Sequence, residues 1–265
     1  MTSLSELYGT EQPVALITGA GSRRLGQVVA RRLHREGCRV ILHANTNFEQ
    51  AKNVASELAQ QGPEAEAFAA DLRDADELDR FVNAASKKWG RVDILVHCAA
   101  IWYPQPLEEI LPEDLDAFYA INQKASFLIA QKIGLQMTSQ PSGGSIVLMG
   151  DWADARPYLH HASYFMSKGS IPMLTRVFAV ELASRNPNVR VNAVLPGPVT
   201  LPKSLTETQH QAAVAGTLVH REGSPDDVAE AALGLIQNRF ITGTCLPVDG
   251  GRTIYSGGDD YKQVK

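Results

Sequence analysis

The sequence predicts one α/β domain: a Rossmann-type, doubly wound parallel sheet of about seven strands, with helices on both faces. Three observations predict it. Short apolar runs alternate along the chain with longer segments of helical period, the rhythm of strands joined by crossover helices. Several of the short runs are almost continuously apolar, as strands covered on both faces must be. The chain has 265 residues, 44% apolar and 20% charged, enough for one substantial core.

The expected strands are Val14–Thr18, Val40–His43, Glu66–Ala69, Ile94–His97, Ser145–Met149, Val189–Leu195 and Cys245–Val248. Between them helical periodicity marks Gly26–Glu36, Phe48–Gln60, Ala75–Trp89, Leu111–Met137, Ala162–Arg185 and Pro225–Asn238. The last opens Ser224-Pro225-Asp226-Asp227, which supplies an N-cap, a first-turn proline and a capping-box acid. Gly37 and Gly90 follow two of the helices, where a left-handed residue closes the last turn. No linker or repeat interrupts the alternation, so residues 1–265 read as a single domain with a core at about 13–253. The polar, proline-punctuated stretch at about 199–217 breaks the rhythm late. A long connection after a strand's carboxyl end is where an α/β protein covers its ligand.

Composition excludes several classes. A net charge of −4 offers no surface for nucleic acid or membrane. No apolar run approaches the ~20 residues that span a bilayer. The opening MTSLSELYGTEQP lacks a secretory pattern. Cys38, Cys98 and Cys245 are odd in number and scattered, so free thiols in a reducing cytoplasm are expected, with neither disulfides nor a metal site.

The run Val14-Ala-Leu-Ile-Thr-Gly-Ala-Gly-Ser-Arg-Arg-Leu-Gly26 is a strand, a glycine-bearing turn and a helix start. Glycines there let the backbone approach a pyrophosphate, which rests on the free N–H groups of the helix. Arg23 and Arg24 suit an additional phosphate. The second strand ends His43-Ala44-Asn45-Thr46 without the acid that would bind a ribose diol, which favours NADPH over NADH. Which arginine meets the 2′-phosphate is open at this point. Tyr164 and Lys168 stand four apart and share a helix face. An ammonium beside a phenol favours phenolate, which makes Tyr164 an acid/base candidate.

Taken together these residues resemble the short-chain dehydrogenase/reductase family. The resemblance runs from Val14 to about Thr253: Thr18-Gly19…Gly26, Asp71-Leu72, His97-Cys98-Ala99-Ala100, Asn122, Tyr164-x-x-x-Lys168, Asn192…Pro196-Gly197 and Val248-Asp249-Gly250-Gly251. It implies cofactor contacts at Gly19, Ser22, Arg23, Arg24, Leu25, Asp71, Leu72, Cys98, Ala99, Ala100, Tyr164, Lys168, Pro196, Gly197 and Val199. It also implies a ribose-holding Lys168, an Asn122 that supports a water chain, and a homotetramer or dimer. Most members carry serine where this chain has Asp151, thirteen residues before Tyr164. A carboxylate only accepts hydrogen bonds and would repel the charge that develops on a reduced carbonyl. A pterin edge, rich in N–H donors, reverses that argument. Asp151, Arg24-Leu25-Gly26 and Trp102 together are similar to the pteridine reductase branch, with Trp102 as a stacking wall. The expectation is an NADPH-dependent pterin-type reductase using Asp151, Tyr164, Lys168 and Asn122. Arg24, Trp102, Asp151 and Tyr164 would meet the substrate. Reduction of a ketone or 3-oxoacyl thioester is the alternative, and a non-catalytic NADP sensor a third. The adjacent His160 and His161 read as loop residues.

Overall fold

The computed structural model describes residues 2–201 and 205–255, in which seven strands form one parallel sheet ordered β3-β2-β1-β4-β5-β6-β7. The strands are β1 Val14–Thr18, β2 Arg39–Ala44, β3 Ala65–Ala69, β4 Ile94–His97, β5 Gly144–Met149, β6 Val189–Pro196 and β7 Cys245–Val248. Three match the expected bounds, β3, β5 and β6 extend by one residue at one end, and β2 by one at each end. The strand order reverses between β1 and β4, so the crossovers leave on opposite faces and open a crevice at the carboxyl ends. Register places Thr18 beside His97 at that point.

Two apolar layers enclose the sheet. Helices α2 (Leu25–Arg35), α3 (Phe48–Ala59) and α10 (Pro225–Gln237) cover one face; α4 (Ala75–Trp89), α6 (Ala125–Thr138) and α8 (Ile171–Ala183) cover the other. Successive residues of β1 serve opposite layers: Ala15 and Ile17 join the first, Val14 and Leu16 the second. The expected punctuation is present. Ser224 and Asp227 form a reciprocal capping box on α10, and Gly37 and Gly90 are left-handed at φ 89° and 73°. Pro247 lies on the edge strand β7, where a missing N–H faces no further strand.

Two long helices expected from the sequence are broken. Leu111–Met137 divides into α5 (Pro112–Phe118), a π-helical turn at Tyr119–Lys124, and α6. The wider turn sets Asn122 inward, and such turns concentrate at functional sites. Ala162–Arg185 divides into α7 (Ala162–Lys168) and α8, because Pro172 lacks an N–H and its ring excludes the carbonyl one turn earlier. A short helix α1 (Leu4–Tyr8), which periodicity over five residues could not reveal, buries Leu4 and Tyr8. The late polar stretch holds helix α9 (Glu207–Ala215), capped by Thr206 with Gln209; residues 202–204 of it lie outside the described residues. No helix among the described residues is long and apolar enough to cross a membrane.

Candidate active site

The crevice between β1 and β4 is built by close backbone approach. Thr18 Oγ1 accepts the Cys98 and Ala99 N–H groups (3.1 and 3.2 Å), which ties the two strand ends together. Gly19 sits at φ 71°, and a Cβ there would lie 2.8 Å from Ala99 N. A Cβ on Gly21 would meet that of Ala44 at 2.9 Å. Helix α2 begins at Leu25 with Arg24 as N-cap and no side chain capping it, which leaves the Leu25 and Gly26 N–H groups for an anion, while Gln27 N–H bonds the Arg24 carbonyl. These features fit a dinucleotide's pyrophosphate in this turn. Ser22, Arg23 and Arg24 are at or near the surface of the turn. Glu57 of α3 is held low first by its Arg31 ion pair, with Arg23 among the lesser causes, which puts Arg23 on the α3 side. Asp71 pairs with Arg73 and Leu72 is buried beside it. At the far end, Pro196 closes β6, and a Cβ on Gly197 would lie 2.5 Å from Asp249 Cα. Val199 lines a cavity of about 340 Å³ with Thr217, Val248 and Gly250.

Asp151, Tyr164 and Lys168 converge at the carboxyl end of β5. Asp151 follows the strand, and its Oδ1 accepts the Ala153 N–H at 2.9 Å. The Tyr164 hydroxyl donates to Asp151 Oδ2 at 2.7 Å. Lys168 Nζ donates to the Met149 carbonyl at 2.7 Å. Burial raises the Asp151 carboxyl, against the Ala153 and Tyr164 hydrogen bonds and the Lys168 charge. Burial, and then the Asp151 carboxylate, push the Tyr164 phenol well above its ordinary value. Burial draws the Lys168 ammonium down to about 8, opposed by Asp151. The sequence expectation that Lys168 would lower Tyr164 is therefore overturned. Lys168 is turned to a backbone carbonyl, and the group on the phenol is an acceptor that stabilises its proton.

Asn122 is fully buried, and its side chain is taken up by protein partners. Its Oδ1 accepts from Ile101 N at 2.9 Å, and Nδ2 donates to the Ile101 carbonyl and to Ser167 Oγ, both at 3.0 Å. It thus bolts the loop after β4 to α7. Its backbone carbonyl accepts from Ser126 Oγ at 2.7 Å and retains a second lone pair.

Beside Tyr164 stands an aromatic wall only partly visible in the sequence. Trp102 lies flat on His161 (centroids 4.8 Å, 26° between planes), and its indole N–H points to the Tyr158 hydroxyl at 3.4 Å. Tyr158 stacks on Trp152, and Arg252 sits over Trp152 at 4.9 Å. The Gln105 N–H donates to the His160 carbonyl at 2.7 Å, joining the Trp102 loop to the loop before α7. Trp152, Tyr158, His161, Ser167 and Arg252 belong to this surround without any sequence signal beyond proximity to Tyr164 or a chain end. His97 was legible only as part of a motif. It is buried, burial takes it to about 3, and Thr18 Oγ1 meets its Nδ1 at 2.8 Å. Cys98 is likewise pushed by burial to about 12. Among the described residues no cluster of His, Cys, Asp or Glu is arranged to hold a metal ion.

With this geometry in place, comparison with known proteins assigns the class. A family model described as enoyl-(acyl carrier protein) reductase matches residues 19–253. A tetrahydroxynaphthalene reductase of Pyricularia oryzae is 29% identical, over 91% of this chain and 89% of that one. A 2,3-dihydro-2,3-dihydroxybenzoate dehydrogenase of Bacillus subtilis is 31% identical over 93% and 98%. A doubly substituted variant of a Serratia marcescens short-chain dehydrogenase/reductase superposes with a TM-score of 0.83 at 32% identity, covering 92% and 99%. The chain belongs to the short-chain dehydrogenase/reductase family. It is therefore an oxidoreductase that takes a nicotinamide cofactor and a small-molecule substrate.

Proposed function

We propose that the protein is an NADPH-dependent reductase of a flat, N–H-rich heterocycle of the pterin type. The observation that carries this reading is the 2.7 Å hydrogen bond from Tyr164 to Asp151. Reduction of a ring C=N bond needs a proton delivered to nitrogen, and a carboxyl hydrogen-bonded to the phenol is an acid that a serine in its place could not supply. The bound nicotinamide supplies the hydride. Tyr164 passes its hydroxyl proton to the substrate nitrogen, and protonated Asp151 returns a proton to the phenol oxygen. Asp151 ends as the carboxylate and Tyr164 stays neutral, so the raised Asp151 carboxyl is the acid and the phenol its relay. Trp102, exposed at the mouth, offers the stacking face. Asn122 positions the Trp102 loop through Ile101, and Lys168 would hold the nicotinamide ribose.

Preference for the phosphorylated cofactor is supported by Arg23 on the α3 side and by the absence of an acid in Ala44-Asn45-Thr46. We assign Arg23 to the 2′-phosphate and Arg24 to the site mouth. Gly19, Ser22, Leu25, Asp71, Leu72, Cys98, Ala99, Ala100, Pro196, Gly197 and Val199 frame the rest of the cofactor path. A homotetramer or dimer is supported by apolar residues exposed on α6 and α8, among them Phe127, Leu135, Met173, Val177 and Val180. Free thiols at Cys38, Cys98 and Cys245 support a cytoplasmic setting.

A second reading, a carbonyl or hydroxyl substrate, is favoured by the names of the Pyricularia and Bacillus relatives. In it, ionised Asp151 would draw the proton from Tyr164 as the phenol takes one from an alcohol. One assay separates the two: NADPH oxidation with dihydropterins, measured beside ketones and 3-oxoacyl thioesters. The heterocycle reading expects turnover of the pterins. Turnover confined to the carbonyl compounds would replace it with the second.

A further inference from the structure

His161 has no role in the relay just described, yet its hydrogen bonding is incomplete. The residue is 8% exposed and immediately precedes α7. Its Nδ1 lies 2.9 Å from the Leu159 carbonyl oxygen, an atom that can only accept, so Nδ1 carries the ring proton. In the neutral ring Nε2 is then a lone-pair acceptor. It is buried and no protein donor reaches it. A buried acceptor without a partner is unfavourable, and a native structure that keeps one calls for a donor from outside the chain.

The surroundings say what kind of donor. The imidazole is stacked on Trp102 and meets Tyr158 edge-on at 4.8 Å. Trp102 and Tyr158 are exposed by 40% and 39%, so the rings packed against His161 are also the ones an entering planar molecule would meet. On the other side Tyr164 stands edge-on at 6.4 Å. Tyr164 is in turn hydrogen-bonded to Asp151, which links the imidazole to the carboxyl through one phenol. Asp151 offers further lone pairs, since Oδ1 and Oδ2 have each taken only one protein donor.

We propose that His161 Nε2 is a second substrate acceptor, which together with Asp151 reads a ring edge carrying two N–H donors. The inference rests on the heterocycle reading and sharpens it: the pocket selects amino-substituted edges and rejects those that offer only acceptors. The mechanism of rejection is an acceptor set against a lone pair, which a carbonyl edge cannot relieve.

The test uses the NADP-loaded full chain and two probes, 2,4-diaminopteridine and 4-aminopteridine, which differ by one amino donor. Calorimetry on the wild type should favour the diamino probe about tenfold, the worth of one such bond. His161→Phe, which keeps a stacking ring, should abolish that preference, and His161→Gln, which offers an amide oxygen, should restore part of it. Nitrogen NMR of the wild type should show the Nδ1–H tautomer, with Nε2 shifting as the diamino probe binds. A preference that survives in His161→Phe, or an Nε2–H tautomer, overturns the role of His161 alone. If the wild type binds neither probe, the heterocycle reading falls and takes this inference with it.

Discussion

Replacing Asp151 with Asn isolates the charge at the centre of the site, because the side chain keeps its shape and an oxygen near Tyr164. At the alkaline pH where Tyr164 titrates, Asp151 is ionised, and the phenol donates to its carboxylate at 2.7 Å. A hydrogen bond to a charged group contributes about 1.5–3 kcal/mol and one to a neutral group about 0.5–1.5 kcal/mol. The exchange thus removes about 1–2 kcal/mol of stabilisation from the protonated phenol. At about 1.4 kcal/mol for each unit, Tyr164 should titrate about one unit lower in Asp151→Asn. Burial still raises it, so it stays above its ordinary range. Tyrosinate absorbance, taken as the difference between each protein and its Tyr164→Phe counterpart, reads this directly. Catalysis should respond more strongly, since the amide cannot return a proton to the phenol. Pterin reduction should fall by roughly a hundredfold or more, the usual scale for losing a general acid. An unchanged Tyr164 titration together with an unchanged pterin rate would refute the relay and leave Asp151 a bystander.

Other perturbations test separate parts of the architecture. Arg23→Ala should raise the KM for NADPH by about 10–100-fold while moving NADH little, as expected for one charged contact to phosphate; equal effects on both cofactors would remove Arg23 from the 2′-phosphate. Gly19→Ala should destabilise the fold by about 1–3 kcal/mol, because φ is 71° and the Cβ would press on Ala99 N; a urea midpoint like that of the wild type would contradict this. Asn122→Ala should orphan the Ile101 N–H and carbonyl at roughly 1–3 kcal/mol per group. It should also weaken binding of planar inhibitors, by freeing the Trp102 loop. Asp151 itself also carries a pH signature. Its folded carboxyl is raised above the unfolded one, so its contribution to stability is fully present below the ordinary aspartate range. That contribution is lost as pH rises through the raised value. Above that window Asp151→Asn should melt higher than the wild type, a difference that vanishes at low pH.

The centre of the sheet was legible because β1, β2, β4, β5 and β6 are buried almost throughout, which turns apolar run length into a direct report of position. Helix bounds were legible where chemistry marks them, as at Ser224-Pro225 and Gly90. The helix interruptions were not. Asn122 carries no local sign of a π-turn, since the turn exists to meet Ile101 and Ser167, which are distant in sequence. Pro172 did carry a sign, and its steric demand on the preceding turn explains the break after Lys168. Within the site, residue types foretold the meeting of Asp151, Tyr164 and Lys168 but not the sense of their coupling. Tyr-x-x-x-Lys spacing brings an amine near a phenol, yet which acceptor the amine chooses depends on the Met149 carbonyl, a backbone atom without sequence identity. His161 was passed over for a related reason. An orphaned nitrogen is a property of everything around it.

The direction of proton flow follows from where burial acts. Asp151 is raised and Lys168 lowered with the same leading cause, the removal of water, which disfavours the charged form of each. Their opposite charges then oppose that cause, since Lys168 lowers Asp151 and Asp151 raises Lys168. As pH rises the carboxyl gives up its proton first and the ammonium its own at about 8, so between those two steps the pair is zwitterionic. Tyr164 stays protonated throughout, pinned by burial and by Asp151. A phenol that does not ionise cannot itself be the store of the proton; it can only conduct one. The store is the carboxyl, and whether the site gives or takes a proton is set by whatever tips Asp151. In a site with serine in this place the hydroxyl supports charge on oxygen but holds no exchangeable charge of its own. Asp151 instead gives the same scaffold a titratable group hydrogen-bonded to the phenol, which under the heterocycle reading supplies the proton that the ring nitrogen must gain.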